Sequence, residues 1–258
     1  MRIATWNING LRARLEFVQM WLKDRQPDVV GLQELKTPDD KFPHEIFEEL
    51  GYQSIAYGQK SWNGVAILAR KPQEVVCKGL PGQDEFGSRL VTSNVGGLSF
   101  TTVYCPNGKN LEHEDYEKKL AWYDDLVKHW SDNHPPEEPA VLCGDFNIVP
   151  TDLDTWDPKR HEGDIFHSDK ERARLAAVLD TGLVDLFREK YPEEQAFSWW
   201  DYRGGAFHRK QGLRIDFVLG TQPVVAKLKS IEIDRDFRKK KEGLTASDHA
   251  PVIADLDF

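Results

Sequence analysis

The sequence contains no apolar run approaching the roughly 20 residues that a membrane-spanning helix needs. Its opening, Met1–Ile8, carries no secretory signal pattern. No membrane association is expected. Cysteine is scarce: Cys77, Cys105 and Cys143 are scattered, odd in number, and form no Cys-x-x-Cys pair. A disulfide framework and a cysteine-rich zinc site are therefore both disfavoured, and a reducing cytoplasm fits best. No Rossmann or Walker glycine fingerprint is present. Positive charge is in deficit too, with 34 Lys and Arg against 43 Asp and Glu for a net charge of −9. Binding to a polyanion rests on neutralising phosphates, and here the summed field is repulsive. Any nucleic-acid contact must be confined to a local basic face. A cleft lined with acids is equally consistent, and such a cleft usually means a divalent metal.

What is present reads as an ordinary globule of 258 residues, 40% hydrophobic and 30% charged. One domain spanning residues 1–258 is expected. Ile3–Asn7 opens as a short strand, and Leu15, Val18 and Leu22 fall at helical spacing before Gln26-Pro27. Apolar strands are expected at Val29–Leu32, Tyr52–Tyr57, Gly64–Ala69, Arg89–Val95 and Leu98–Tyr104, the last two joined by Gly96-Gly97. The clearest helix is His113–Trp130, with Tyr116, Leu120, Tyr123, Val127 and Trp130 on one stripe and Glu117, Lys118, Lys119 and Asp124 off it. Asn133–Pro139 is turn-rich and reads as the midpoint. Beyond it come a strand at Ala140–Cys143, a helix near Lys170–Leu179, and strands near Ile215–Leu219, Val224–Ile233 and Pro251–Leu256. The plainest reading of the basic run Arg238–Lys241 is a solvated loop. Strand-rich halves with few helices suggest two sheets packed face to face with helices outside.

The informative pattern is where the polar residues sit. Apolar strands end abruptly in Asn7, in Glu34, and in Asp145 and Asn147, while Asp216 lies beside Ile215 and Ser247-Asp248-His249 precedes the closing strand. Polar groups at strand ends gather at one rim of a sheet, where a cleft opens. Clustered carboxylates without partners are costly, so a cation is expected among them. Oxygen ligands without thiolate suit Mg²⁺ or Mn²⁺ better than zinc. Asp216 inside an apolar strand also needs a partner, and an imidazole is the obvious one.

Thr5–Arg12, Leu32–Lys36, Tyr104–Gly108, Gly144–Asn147, Gly212–Asp216 and Ser247–Pro251 together resemble the exonuclease III / AP endonuclease family of the endonuclease–exonuclease–phosphatase superfamily. The resemblance runs from Ile3 to Phe258. It implies a DNase I-like α/β fold: a four-layer αββα sandwich of two mixed, mostly antiparallel sheets. It implies that Glu34 is the principal Mg²⁺ ligand with Asn7 and Asp248 close by, Mn²⁺ being able to substitute. It further implies that His249 is the catalytic histidine, oriented by Asp216, and that Asp145 positions or deprotonates the attacking water. Asn147, Tyr104 and Asn107 match groups that hydrogen-bond the scissile phosphate. The sequence leaves open which group removes the proton, and whether His249 is a charged stabiliser or a general acid.

The superfamily also contains phosphoinositide phosphatases and sphingomyelinases, so the rim alone does not settle the substrate. The tract Phe197–Arg203, including Trp199 and Trp200, resembles with Leu213 and Ile215 the family's stacking wall for a deoxyribose or base. Arg12, Lys36, Arg89, Lys109, Arg209, Lys210 and Arg214, with the Arg238–Lys241 run, supply a phosphate-tracking face. Aromatic surface interleaved with cations is what a flipped or frayed nucleotide needs. The expected partner is double-stranded DNA with 3′ ends, nicks or abasic sites, bound by a monomer. Competing expectations are a lipid or inositol-phosphate phosphoesterase and a non-catalytic nucleic-acid-binding regulator. Two departures stand out. Phe166 and His167 lie where many family members have a tighter turn of small residues, and their bulk would fill the pocket for an extruded abasic sugar. Asn9 stands where some members carry Asp, which weakens a second cation site.

Overall fold

The computed structural model describes residues 1–258. The first half runs β1 (Arg2–Asn7), α1 (Leu11–Arg25), β2 (Val29–Gln33), α2 (His44–Glu49), β3 (Gln53–Tyr57), β4 (Val65–Ala69), β5 (Gln73–Lys78), β6 (Leu90–Val95), β7 (Leu98–Tyr104) and α3 (Glu114–Asn133). It continues with β8 (Ala140–Asp145), α4 (Pro158–His161), α5 (Asp169–Leu179), β9 (Val184–Asp185), α6 (Leu186–Lys190), β10 (Asp216–Gly220), α7 (Gln222–Val225), β11 (Leu228–Ile233) and β12 (Val252–Leu256). The strands form two six-stranded sheets, ordered β11-β12-β1-β2-β4-β3 and β5-β6-β7-β8-β10-β9. Only β1–β2 and β7–β8 pair in parallel. The expected mixed, mostly antiparallel sandwich is what forms.

Alternation along each strand divides its side chains between two cores. Ile3 faces inward with Val29, Ile67, Val91, Phe100, Val141 and Val218, filling the space between the sheets. Ala4 and Trp6 face outward, onto Phe17, Trp21 and Leu22 of α1. A third core joins Leu142, Phe217 and Leu219 of the second sheet to Trp122, Leu126 and Trp130 of α3 and Leu175 of α5. Three cores separate four layers. Where the sheets come closest only glycine fits, since a Cβ on Gly31 would lie 2.6 Å from Thr102 Cβ.

The structure corrects four element expectations. Gln73–Lys78 is a strand that periodicity did not reveal: it is an edge strand with a bulge near Val75, and Val76 is 62% exposed. The single strand expected over Val224–Ile233 divides into α7 and β11, because Pro223 at the first turn suits a helix start. Asn133–Pro139 is not a midpoint, since it joins α3 to β8, which pairs in parallel with β7 in the same sheet. Lys119, read as lying off the buried stripe of α3, has a side chain with no exposure at all.

Candidate active site

Chain direction assembles the site. β1, β2, β7 and β8 end at one rim, β10 begins there, and the turn before β12 returns there. In the second sheet the register sets Tyr104 beside Asp145 and Asp145 beside Asp216, so three strands deliver three polar residues to one line. Asn7 and the Glu34 turn stand opposite, on the first sheet. Several rim residues hold left-handed backbones that non-glycine residues seldom adopt: Asn9 at φ 48°, Glu34 at 54°, Lys36 at 53° and Asn147 at 50°. Such conformations cost on the order of 1–3 kcal/mol each and cluster at functional sites. Gly144 precedes Asp145 because a Cβ there would lie 1.9 Å from the carbonyl oxygen of Val103.

The imidazole of His249 is fixed by Asp216, with Nδ1 2.9 Å from Oδ2 and 3.1 Å from Oδ1. Ser198 holds that carboxylate in turn, its hydroxyl donating to Asp216 Oδ2 at 2.6 Å while accepting from the Asp216 amide. The other imidazole nitrogen, Nε2, lies 3.8 Å from Asp145 Oδ2. Burial works against the charged imidazole, but Asp216, Asp145 and Asp248 outweigh it and raise the His249 pKa to about 10. Burial also lifts the Asp145 carboxyl, which His249 pulls down and Asp216 and Glu34 push up, leaving it at about 7. Burial and the same Glu34 and Asp145 charges raise the Tyr104 phenol well above its ordinary value.

Asn7 joins the two sides. Its amide nitrogen donates to Glu34 Oε1 and to Asp145 Oδ2, both at 2.8 Å. Asp145 Oδ1 accepts from the Asn147 amide at 3.0 Å, Asn147 Nδ2 donates to the Cys105 carbonyl at 3.0 Å, and Asn107 Nδ2 lies 3.5 Å from Asn147 Oδ1. One ligand atom from each of Glu34, Asp145 and His249 lies within 4.8 Å of the others. Glu34 and Asp145 are bridged by the Asn7 amide, and although Lys36 and His249 stand on their outer sides, the two carboxylates converge on one point as a cation site requires. Two of these three ligand side chains are carboxylates and none is a thiolate, a donor set that fits a divalent cation of the magnesium type.

Asp248 is not brought into that group. Its two oxygens accept from Asn9 Nδ2 at 2.9 Å and from Trp199 Nε1 at 3.0 Å. Burial disfavours its ionised form, but His249 and these donors outweigh that and keep its pKa below the usual carboxylate value. Asn9, where the weaker cation site was expected, also accepts from Lys36 Nζ at 2.6 Å, and Lys36 pairs with Glu34 at 2.9 Å.

The expected DNA-facing residues divide. Arg12, Lys109 and Arg209 are exposed and Lys36 and Arg89 half-buried. Arg89 sits 4.9 Å over the Tyr104 ring and donates to the Tyr104 carbonyl, so it also supports the phenol. Trp199 and Leu213 line a depression of about 620 Å³ with Leu111, Phe166 and His167. Arg209 lines a different hollow, with Phe197 and Lys210. Three expectations are overturned and a fourth is narrowed. Arg214 is 1% exposed and spent on Asp154 at 2.6 Å and Asp185 at 2.7 Å. Trp200 is 0% exposed and packs with Ala206 and Ala250. Ile215 is buried behind Leu213, so it backs the wall without surfacing in it. The Arg238–Lys241 run is only partly free: Arg238 donates to the carbonyls of Asp248 and Trp200 and Lys239 and Lys241 pair with Asp236, while Lys240 is exposed. Sequence reasoning missed Ser198, whose only signal was a hydroxyl within the aromatic tract.

Fold and rim define an αββα protein whose strand ends converge on an acidic, imidazole-bearing cleft. The model of the Endonuclease/Exonuclease/phosphatase family matches residues 4–249, and the chain belongs to that family. It is 35% identical over 269 aligned residues to "Exodeoxyribonuclease III" of Haemophilus influenzae, covering 99% of this chain and all of that one. Among solved structures it superposes, with complete coverage of both chains, on the 3′ phosphatase NExo from Neisseria bound to product DNA hairpin (TM-score 0.96, 39% identity). An AP endonuclease from Archaeoglobus fulgidus is similar to the same extent (TM-score 0.96, 32% identity, full coverage). No helix is long and apolar enough to cross a membrane.

Proposed function

We propose that the chain is a Mg²⁺-dependent DNA repair nuclease of the exonuclease III type. It hydrolyses phosphodiester and phosphomonoester bonds at DNA 3′ ends, acting as 3′–5′ exonuclease, 3′-phosphatase and 3′-phosphodiesterase. The single observation carrying this reading is the His249–Asp216 pair aimed at Asp145 across 3.8 Å, directly beside Glu34. Hydrolysis of a phosphate ester must neutralise charge growing on the equatorial and leaving oxygens. A protonated His249, the amides of Asn147 and Asn107 and the Tyr104 phenol are the donors facing that charge. Asp145, held by Asn7 and by the Asn147 amide, orients the attacking water. Glu34, with Asp145 beside it, would hold the cation, which supplies Lewis-acid charge stabilisation at the phosphate. Trp199 and Leu213 take the nucleoside on one side of the scissile bond.

Phe166 and His167 narrow that pocket. Phe166 holds φ 72°, with its carbonyl accepting from the Val149 amide, and His167 is buried and stacks on His161. In this reading the pair disfavours an extruded abasic sugar, so 3′-end processing exceeds incision at internal abasic sites. The test uses matched duplexes carrying a 3′-phosphate, a recessed 3′-hydroxyl and an internal abasic analogue, with Mg²⁺ and an EDTA control. Release of inorganic phosphate and shortening of the recessed strand, both abolished by EDTA, are expected. Cleavage of an inositol-phosphate headgroup with none of DNA would overturn the proposal.

A further inference from the structure

The Lys119 ammonium is among the most enclosed charges in the molecule, and its surroundings tie α3 to the catalytic rim. Both Lys119 and its partner Glu171 have wholly buried side chains, with Nζ 2.5 Å from Oε1. The same Nζ donates to the Asn147 carbonyl at 2.7 Å and to the Asn107 carbonyl at 3.3 Å. These are the backbones of the two amide residues placed at the phosphate. Asn147 is left-handed, at φ 50°, a conformation asparagine adopts more readily than other non-glycine residues and one that takes its peptide out of regular secondary structure. Nζ also lies 4.9 Å from the centre of the Phe166 ring. Glu171 completes the junction: its Oε2 accepts from the Ser168 amide and hydroxyl, capping α5 immediately after Phe166 and His167. One buried ion pair therefore touches the Asn107 and Asn147 loops on one side and the Phe166–Ser168 segment on the other.

Stability alone accounts poorly for this arrangement. A buried ion pair is often replaceable by apolar side chains of similar volume at no cost in stability, because desolvation consumes the Coulombic gain. What an apolar pair cannot do is donate to the carbonyls of Asn147 and Asn107. We infer that Lys119 is a positioning residue: its ammonium, charge-compensated by Glu171, holds Asn147 and Asn107 in phosphate-binding register and couples them to the wall formed by Phe166. The inference rests on the proposed phosphoester hydrolysis at this site. Misplacement of a reacting group by about 1 Å costs on the order of a hundredfold in rate, and that is the loss expected.

The experiment compares the parent with the double variant Lys119→Met/Glu171→Met, which removes both charges while keeping side-chain bulk. Steady-state kinetics use a nicked duplex ending in a 3′-phosphate with Mg²⁺, and thermal melting and the side-chain amide NMR signals of Asn147 are followed in parallel. Expected, at a temperature where both proteins are folded, are kcat reduced about a hundredfold, KM changed less than about threefold, and displaced Asn147 amide signals, with a lower melting temperature from the unpaired carbonyls and lost α5 cap. A purely structural ion pair predicts the opposite for a stable variant: kcat within threefold of the parent and unmoved Asn147 signals, and that result overturns the inference. If the Met pair does not fold, Lys119→Gln/Glu171→Gln is read the same way. Its amides can bond each other, but the shortened side chain falls short of the Asn147 carbonyl. Should the parent release no phosphate from this duplex, the failure falls on the proposed function, and the Asn147 signals alone decide the role of Lys119.

Discussion

Replacing Arg214 with Met separates a structural cation from a DNA contact. Arg214 was expected to track phosphates, yet its guanidinium lies within the protein between Asp154 and Asp185 and 4.7 Å over the Phe217 ring. Methionine retains much of the aliphatic packing and removes the charge. Breaking one side of a buried ion pair costs about 3–5 kcal/mol, because a desolvated charge is left uncompensated. Asp154 keeps Arg188 at 2.6 Å and its hydrogen bond from Thr151, so the lower end applies. About 3 kcal/mol corresponds to a fall of roughly 6–12 °C in Tm for a chain of this size. The assay is thermal unfolding of parent and variant, followed by titration of a recessed 3′ duplex across a salt series at a temperature where both are folded. The slope of log K against log salt is expected to be unchanged, whereas loss of a phosphate contact would lower it by about 0.9. A variant that melts within 2 °C of the parent but shows the reduced slope would refute this account.

Asp216→Asn leaves Ser198 an acceptor but removes the charge that orients and protonates His249, so kcat should fall by roughly 10²–10⁴ with KM little altered; a kcat within fivefold of the parent would show that the pair is not functional. Phe166→Gly and His167→Gly should each raise incision of an internal abasic duplex relative to 3′-phosphate release, and unchanged incision by both sinks the idea of a narrowed pocket. His134 stacks on Trp130 at 3.9 Å, and burial with the nearby His129 lowers its pKa from 6.5 to about 4. Its protonation favours the unfolded chain, so this contribution to stability is full above pH 6.5 and is lost as pH falls toward 4, by up to about 3 kcal/mol at about 1.4 kcal/mol per pH unit. His134→Phe should flatten that part of a pH–stability curve, and an identical slope in the variant would assign it elsewhere. Gly144→Ala should fail to fold or lose Asp145 function, since the added methyl would collide with the Val103 carbonyl; a stable, fully active variant would contradict the register of β7 and β8.

The two-layered sheet core was legible because its strands are buried on both faces and read as continuous apolar runs that stop at a carboxylate or carboxamide. Glu34, Asp145, Asp216 and His249 were legible for the same reason: each interrupts or bounds an apolar segment, where a polar side chain needs a partner or a task. Strand β5 was illegible because an exposed, bulged edge loses the alternation that marks a strand. Cations were harder still. Arg12 and Arg214 are the same residue type in equally mixed sequence, yet one is exposed and the other is neutralised by Asp154 and Asp185, 60 and 29 positions away. Lys119 likewise looks like a solvated helix residue until Glu171, 52 positions on, is folded against it. The environment of a basic side chain is set by whether a distant acid reaches it, and a local pattern carries no trace of that distance. An apolar strand end, by contrast, declares its geometry within five residues. The polar rim is therefore visible in the sequence, while the cations that brace it emerge only when the chain closes on itself.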